Sequence, residues 1–317
     1  MKRLLTNFKN VIKLVYTQKT KSFIKFLKGN LLFMQNMENP TVFQLSSSDT
    51  TRFRRIVLDL LSEACKITDE EYGGIGTLGE KQMHAAIKRF ICPDESCHEI
   101  KIDGSPLCIS QNDSDEDNKK KKRRFVADVM KDGIIYEIQT GSFAPLKEKI
   151  KWILDNTSYN LVVIHPIIET KWINYINEKS REVDSRVRSP QKGSYRDLAE
   201  ELYYVEEFIT NPRFSIVLLV MEAEQYKKKS SKKRPKYEKY ELIPVSLLRA
   251  QVFKSLEDYA IFIPEGLPET FSVKTYSSLS NIRGRNAYSI VKTLVRLGLL
   301  EEAGKLGRAT AYKLPQK

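Results

Sequence analysis

The stretch FVADVMKDGIIYEIQT, residues 125–140, decides the fold prediction for this chain of 317 residues. At its centre an Asp-Gly pair, 132–133, separates two runs rich in Val and Ile. Asp-Gly is a preferred centre of a two-residue type I′ β-hairpin, because both central positions need φ > 0. In the register that this turn sets, Asp128 lies directly across from Glu137. Because side chains alternate along a strand, Gln139 is predicted to lie on the same face.

Two carboxylates that face each other across a strand pair destabilise it, unless something neutralises them. Water would screen them on an exposed hairpin, but the neighbouring Val, Ala and Ile residues indicate that this one is substantially buried. A hard divalent cation takes oxygen ligands and neutralises both charges. The sequence therefore favours a Mg²⁺ (or Mn²⁺) site between Asp128 and Glu137, with the solvated pair as the alternative.

The segments around the hairpin indicate an α/β fold. A helical pattern starts at Arg52, and a second helix is predicted from Glu80 to Phe90. The later elements are predicted as strands 98–103, 125–131 and 134–140, helix 142–155, strand 161–167, helix 197–209 and strand 214–221. This order predicts an α/β sandwich with a mixed sheet over residues 41–255. The lysine-rich segment 227–239 is interpreted as a solvated loop.

A third carboxylate, Glu80, opens the helix that precedes the strands. Met83, Ile87 and Phe90 follow it at helical spacing, so Glu80 lies near the start of the core-facing stripe and is expected to point toward the hairpin. A carboxylate in the first turn also interacts favourably with the helix dipole, and the two roles are compatible.

These residues and this element order resemble the PD-(D/E)XK, or restriction-endonuclease-like, superfamily. In that family an Asp and a Glu-x-Lys on a hairpin bind Mg²⁺ and position the water that attacks a phosphodiester. The resemblance implies that Asp128, Glu137 and the backbone carbonyl of Ile138 hold the metal, that Glu80 joins them, and that Gln139 orients the water. From about residue 50 to its end, the chain also looks like an uncharacterised group of bacterial proteins with this core and a C-terminal winged helix.

One position departs from the family pattern. Gln139 stands where most members have Lys, and glutamine offers the transition state no positive charge. Some restriction enzymes of this fold have Gln at this position and remain active. Lys147 or Lys149 on the next helix is an alternative source of the charge.

The C-terminal unit, residues 262–317, follows a boundary marked by Pro and Gly at 264–268. Two helical patterns, 272–279 and 284–297, precede a pair of short strands with Gly304 and Gly307 between them. This pattern resembles a winged helix–turn–helix. The resemblance implies DNA contacts from the second helix and the wing through Arg283, Arg285, Asn286, Ser289, Lys292, Lys305 and Arg308. Protein docking is the other use of such a domain.

The net charge of +13 lies at the two ends of the chain. Residues 1–36 contain eight basic side chains and no acidic ones, and residues 262–317 contain nine basic and four acidic ones. The first 40 residues are interpreted as a basic extension, and attraction to nucleic acid is expected mainly from the termini. Four cysteines in a chain of this length argue against a disulfide scaffold, and no apolar run is long enough to span a bilayer.

Together these features predict a cytoplasmic Mg²⁺-dependent DNA endonuclease, with its winged helix bound to double-stranded DNA. Two other functions stay open. One is a nuclease-fold DNA-binding protein with little or no catalysis, and the other is a protein-docking module of a bacterial defence or mobile-element system. The sequence is compatible with a homodimer, and it does not distinguish DNA from RNA as the substrate.

Overall fold

The computed structural model describes residues 41–64, 78–102, 125–177, 182–230 and 236–316. The chain has an α/β fold with a large mixed sheet, as the sequence predicted. The strands are β1 (Thr41–Gln44), β2 (His98–Ile102), β3 (Phe125–Lys131), β4 (Ile134–Ile138), β5 (Asn160–Ile176), β6 (Val183–Arg188), β7 (Phe214–Lys229), β8 (Tyr237–Phe253), β9 (Glu301–Leu306) and β10 (Ala309–Lys313). The α-helices are α1 (Ser47–Ala64), α2 (Leu78–Ile91), α3 (Lys147–Asn156), α4 (Leu198–Val205), α5 (Val273–Ser280) and α6 (Arg285–Arg296). The basic extension predicted for residues 1–40 lies outside the described residues.

The main sheet has the strand order β1-β8-β7-β5-β4-β3-β2, and β6 pairs with part of β5. Strands β2, β3 and β4 form an antiparallel meander, and β5 then runs parallel to β4 after the crossover through α3. Strand β7 is parallel to β5, whereas β8 and β1 are antiparallel to their neighbours. The predicted order of helix, three strands, helix and strand is therefore present.

The hairpin between β3 and β4 has the predicted turn. Asp132 and Gly133 both have positive φ, 51° and 76°. Lys131 pairs with Ile134, and Val129 with Tyr136, which is the register expected for a two-residue turn. The local chemistry of the Asp-Gly pair thus sets the register of this hairpin.

Apolar layers cover both faces of the main sheet. One layer contains Ile150 of α3, and the other contains Phe53 of α1 and Ile87 of α2. Along β5, Val163 belongs to the first layer and Ile164 to the second. The continuous apolar run in β5 is therefore explained by burial on both faces, which is typical of a central parallel strand.

Beyond the core, the sheet continues as a long projection. Pairing of β5 with β4 ends at Ile164, whereas β5 itself continues to Ile176. We call residues 170–176, 183–188, 222–229 and 237–246 the sheet extension. The prediction of a solvated loop at 227–239 was wrong at both ends of that segment, because residues 227–229 pair with residues 237–239 as strands. Residues 231–235 lie outside the described residues. The interpretation relied on the lysine content, but a strand that continues beyond the apolar core can carry charged side chains where its faces are accessible to water.

The C-terminal unit contains α5, α6 and the β9–β10 hairpin, close to the predicted bounds. An isolated bridge joins Phe271 to Tyr312, and Ser272 caps α5 by accepting a hydrogen bond from the Thr275 backbone N–H. Its apolar side chains, such as Ile290 of α6, belong to the same apolar layer as Ile150 of α3. The unit therefore packs onto the main domain through a continuous core. Among the described helices, none contains an apolar stretch of the length that a bilayer-spanning helix needs.

Candidate active site

Asp128 lies where β3 meets α2. Its Oδ2 is 3.1 Å from Nε2 of His84 and accepts a hydrogen bond of 2.8 Å from the backbone N–H of Ile138. Its Oδ1 is 3.5 Å from Nζ of Lys88. Both His84 and Lys88 belong to α2, so Asp128 joins the hairpin to that helix.

The strand pairing is interrupted at Asp128. The β3–β4 register runs from Lys131 to Val129 and no further, and the Asp128 carboxylate, not a β3 carbonyl, accepts the hydrogen bond from Ile138. In β2, Glu99 has a φ of 52°, and its carboxylate contacts Lys88. A positive φ is costly for a residue with a Cβ, and such outliers concentrate at functional sites.

Glu137 contacts the other side of the sheet. Its Oε2 accepts a hydrogen bond of 2.5 Å from Nζ of Lys149 in α3, and the same ammonium donates to the Val126 carbonyl at 2.6 Å. Glu137 is only 3% exposed, and its Oε1 has no hydrogen-bond partner in the described part of the chain. An unpartnered, buried carboxylate oxygen is unusual in a folded protein. The Asp128 backbone N–H lies close enough to this carboxylate to help lower its pKa.

The sequence prediction that Asp128 and Glu137 share one face differs from the structure. Asp128 contacts α2, and Glu137 contacts α3 in the opposite layer. The difference arises because Asp128 caps the Ile138 N–H, which replaces regular strand pairing at the point where the two carboxylates would have been opposite. The two groups still interact, since the charge of Asp128 helps raise the pKa of Glu137.

The pKa values of the two carboxyl groups are shifted in opposite directions. Burial alone would raise the pKa of Asp128, but the hydrogen bond and charge of His84, the Ile138 N–H and the charge of Lys88 together lower it. Burial raises the pKa of Glu137 to about 7, although the Lys149 charge opposes that shift. Opposite shifts in a pair of neighbouring acids are typical of sites that hold one group ionised and the other ready to exchange a proton near neutral pH.

An open cleft of about 500 Å³ lies beside the residues that hold Asp128. Its lining is formed by His84, Ala85 and Lys88 of α2 and by the segment Ile138–Gly141 that follows β4. Lys88 on this wall is paired with Asp128 and Glu99, and the His84 imidazole lies next to it.

The structure places the remaining predicted site residues as follows. Gln139 lines the cleft, but its side-chain amide donates to the Ser142 carbonyl at 2.5 Å. Its own backbone carbonyl accepts a hydrogen bond of 2.6 Å from Nδ1 of His165. Glu80 lies in the first turns of α2, and its side chain is outside the described residues. In the described part of the chain, no group of three or more His, Cys, Asp or Glu residues has a metal-binding arrangement.

Sequence reasoning missed His84, Lys88 and Glu99. Together with Glu80, the two α2 residues recur at intervals of four, which places them on one helix face. That spacing was visible in the sequence. Lys149, in contrast, was one of two candidates for the missing charge. In the structure Lys149 forms an ion pair with Glu137, whereas Lys147 pairs with Glu207 at 2.8 Å.

The residues predicted to contact DNA are accessible. Arg283, Arg285 and Lys292 are exposed, as are Lys305 and Arg308 on the β9–β10 hairpin. Asn286 and Ser289 are at least partly exposed. The Tyr288 side chain lies among them and is 60% exposed, which is unusual for a large aromatic residue.

Comparisons with known proteins give relatives but no activity. A family model described as a domain of unknown function (DUF8091) matches residues 108–254, a range that includes Asp128, Glu137 and Lys149. An uncharacterized protein of Treponema pallidum (strain Nichols) is 24% identical over 243 residues, which cover 75% of this chain and 87% of that protein. No solved structure matches the chain. The chain is thus similar, over its main domain, to a family and to a bacterial protein whose descriptions assign no function.

Proposed function

We propose that the chain is a metal-dependent phosphodiester hydrolase of the PD-(D/E)XK type that acts on double-stranded DNA. The observation that carries the proposal is the buried carboxylate of Glu137, with one oxygen on Lys149 and the other without a partner among the described residues. A structural ion pair would be expected to satisfy both oxygens, whereas a site for a cation leaves one oxygen free. The antiparallel meander followed by a parallel strand supports the same proposal.

The donor set fits a hard divalent cation. Mg²⁺ in proteins is often bound by one or two carboxylates together with water and substrate phosphate, and Asp128 and Glu137 supply donors of that kind. Because the two side chains contact opposite layers, binding of both to one ion would require one of them to reorient. The Ile138 N–H donates to Asp128, and the carbonyl of a strand residue points to the same edge as its N–H, so we expect the Ile138 carbonyl to lie on the side of this gap. Bound Mg²⁺ would lower the pKa of a water and stabilise charge on the phosphate.

The residues of the chain have separate roles in this proposal. His84 and the Ile138 N–H hold the Asp128 carboxylate in one orientation and keep it ionised. Lys149 orients Glu137 and supplies the positive charge that Gln139 lacks at the position of the family lysine. Lys88 and His84 line the cleft where a phosphate backbone would approach, and both are held there by Asp128. Exposed basic residues of α6 and the β9–β10 hairpin would hold the duplex through a winged-helix contact.

A second function is favoured by a specific observation. Lys88 and Lys149 already neutralise both carboxylates from within the chain, so the fold does not require a cation. A DNA-binding protein that keeps the nuclease fold without turnover would have this arrangement.

The deciding experiment incubates the purified full chain with duplex DNA and Mg²⁺ or Mn²⁺. We expect cleavage that Glu137→Gln reduces by about 10²-fold or more, since removal of one group that stabilises the transition state has effects of this size. Asp155→Asn is the matched control, because Asp155 is an exposed carboxylate of α3 paired with Lys151. Metal-independent binding without cleavage would support the second function, and no binding at low salt would favour a protein-docking module.

A further inference from the structure

The sheet extension has two faces that differ in how their basic residues are partnered. On one face, Arg186 contacts Glu224 at 2.9 Å and lies 4.0 Å from the ring centre of Trp172. On the same face, Lys228 lies 3.4 Å from Glu238. Arg186 and Lys228 are therefore neutralised within the chain, whereas Arg188 of the same face donates to the Thr170 hydroxyl at 3.3 Å.

The opposite face carries lysines without such partners. In the part of the chain that the structure describes, Lys171, Lys227 and Lys239 form no ion pair with Asp or Glu. Lys227 lies directly across from Lys239 on one side and from Tyr175 on the other. Like charges in a cross-strand pair are destabilising, so the fold accepts a cost here that nothing described in the chain offsets. The pKa of Lys171 is lowered by burial and by the charges of Lys239 and Lys227.

These lysines lie on the face of the sheet that α2 covers. Side chains alternate along β7, and Val217, Leu219 and Met221 belong to the apolar layer under α1 and α2, so Lys227 follows on that face. The cleft beside Asp128 opens between α2 and the end of β4, and Ile138 at that end pairs with Ile164 of β5. From Ile164 to Tyr175, beside Lys227, β5 rises by about 35 Å.

We infer that the lysine face of the sheet extension binds the phosphate backbone of double-stranded DNA that also passes the cleft. Lysine is a point charge suited to phosphate, and a flexible row of lysines contacts a backbone without reading bases. The span from the cleft to Lys227 is close to one turn of B-DNA, about 34–36 Å. Because these lysines are spread along one face of the sheet extension, their charges match an extended polyanion such as a DNA duplex better than a compact anion. The inference rests on the DNA substrate of the proposed function but does not require hydrolysis.

The test compares two variants of the full chain that each lose two positive charges. Lys227→Gln/Lys239→Gln removes unpaired lysines, and Arg186→Gln/Lys228→Gln removes paired cations from the opposite face of the same extension. Binding of a labelled duplex of about two helical turns is measured against salt concentration in the presence of a metal chelator. We expect the slope of log K against log salt to fall in magnitude by about 1.8 in the first variant, or about 0.9 for each phosphate that the protein no longer neutralises, and to stay unchanged in the second.

Equal slopes in the two variants, whether both reduced or both unchanged, would overturn the inference. Binding of vesicles of phosphatidylserine and phosphatidylcholine that needs Lys227 and Lys239, with no effect on DNA, would also overturn it. If the slope changes as expected and no cleavage occurs with metal, the inference stands while hydrolysis fails, so the two outcomes are distinguishable. Thermal unfolding of each variant checks that the extension remains folded.

Discussion

The site on the β3–β4 hairpin and the C-terminal unit treat charge in opposite ways. At the hairpin, the side chains of Glu137, Lys88 and Lys149 are largely buried. Lys149 pairs with Glu137, and Lys88 pairs with Asp128. In the C-terminal unit, Arg285 and Lys292 extend into solvent from a helix with an apolar underside. Burying an ion costs several kcal/mol before its partner offsets the cost, whereas exposing one costs almost nothing.

That difference separates two kinds of evidence. Buried, imperfectly paired charges are retained at a cost in stability, so their presence supports a chemical role. Exposed basic residues carry no such cost and therefore support only attraction to a polyanion. The hairpin is accordingly where the proposed hydrolysis is tested, and the C-terminal unit is where binding is tested.

The largest effect is expected from removing the cation beside Glu137. Lys149→Met should reduce metal-dependent DNA cleavage by about 10²- to 10³-fold, because one stabilising group of the transition state is lost. Single-turnover cleavage of a labelled duplex measures the effect. Lys151→Met is the control, since Lys151 is exposed on the same helix and pairs with Asp155 four residues on. A similar reduction in both variants would show that Lys149 has no specific role.

Glu137 is expected to make stability depend on pH. Its pKa of about 7 lies above the ordinary value of 4.5, so the folded state holds a proton that the unfolded state has released. The contribution of Glu137 to the free energy of unfolding is therefore fully present below about pH 4.5. It is lost as pH rises through 7, and its size is on the order of 3 kcal/mol. Urea unfolding at pH 5 and pH 8 should show a smaller decrease in Glu137→Gln than in the wild type. Equal decreases would mean that Glu137 titrates normally.

A binding effect is expected from the exposed helix of the C-terminal unit. Arg285→Gln/Lys292→Gln should weaken duplex binding and lower the salt slope by about 1.8, because each residue neutralises about one phosphate. Filter binding over a salt series measures it. The control Arg296→Gln/Lys313→Gln loses the same charge, but those residues pair with Glu206 and Glu301. If the salt slope of the control variant falls by the same amount, the net charge of the protein and not the α6 surface controls DNA binding.

The smallest effect is expected where the C-terminal unit meets the main domain. Arg296 contacts Glu206 and lies over the ring of Tyr203, but its side chain is 56% exposed. Arg296→Gln should therefore lower stability by less than about 1 kcal/mol, as exposed ion pairs do. The urea midpoint is measured beside that of Arg285→Gln, which has no such contact among the described residues. A decrease of several kcal/mol would show that this ion pair, and not the shared apolar core, fastens the unit.

Several features were predictable because their causes are local. The Asp-Gly pair at 132–133 specifies its turn whatever surrounds it, so the hairpin and its register near the turn followed from sequence. The apolar spacing of α6 likewise indicates the buried side that Ala287, Ile290, Val291 and Leu294 share, although Thr293 is buried with them. The α/β class followed from the order of such segments.

The partners of the two carboxylates were decided by tertiary structure. His84 is 44 residues from Asp128 along the chain, and only the packing of α2 on the sheet brings them to 3.1 Å. Whether Asp128 paired with Glu137 or capped the Ile138 N–H depended on how β3 departs from regular pairing, which no local pattern encodes.

The sheet extension is a clearer case of a structure that local sequence patterns do not encode. A lysine-rich segment has the same composition whether it is a loop or a pair of strands, and only pairing with β5 and β8 made Lys227 a strand residue. The sequence by itself determined the hairpin, the class of fold and the charge at the two ends of the chain. The tertiary structure decided which charges are buried, which are paired and which face solvent together, because those properties depend on contacts between residues far apart in the chain.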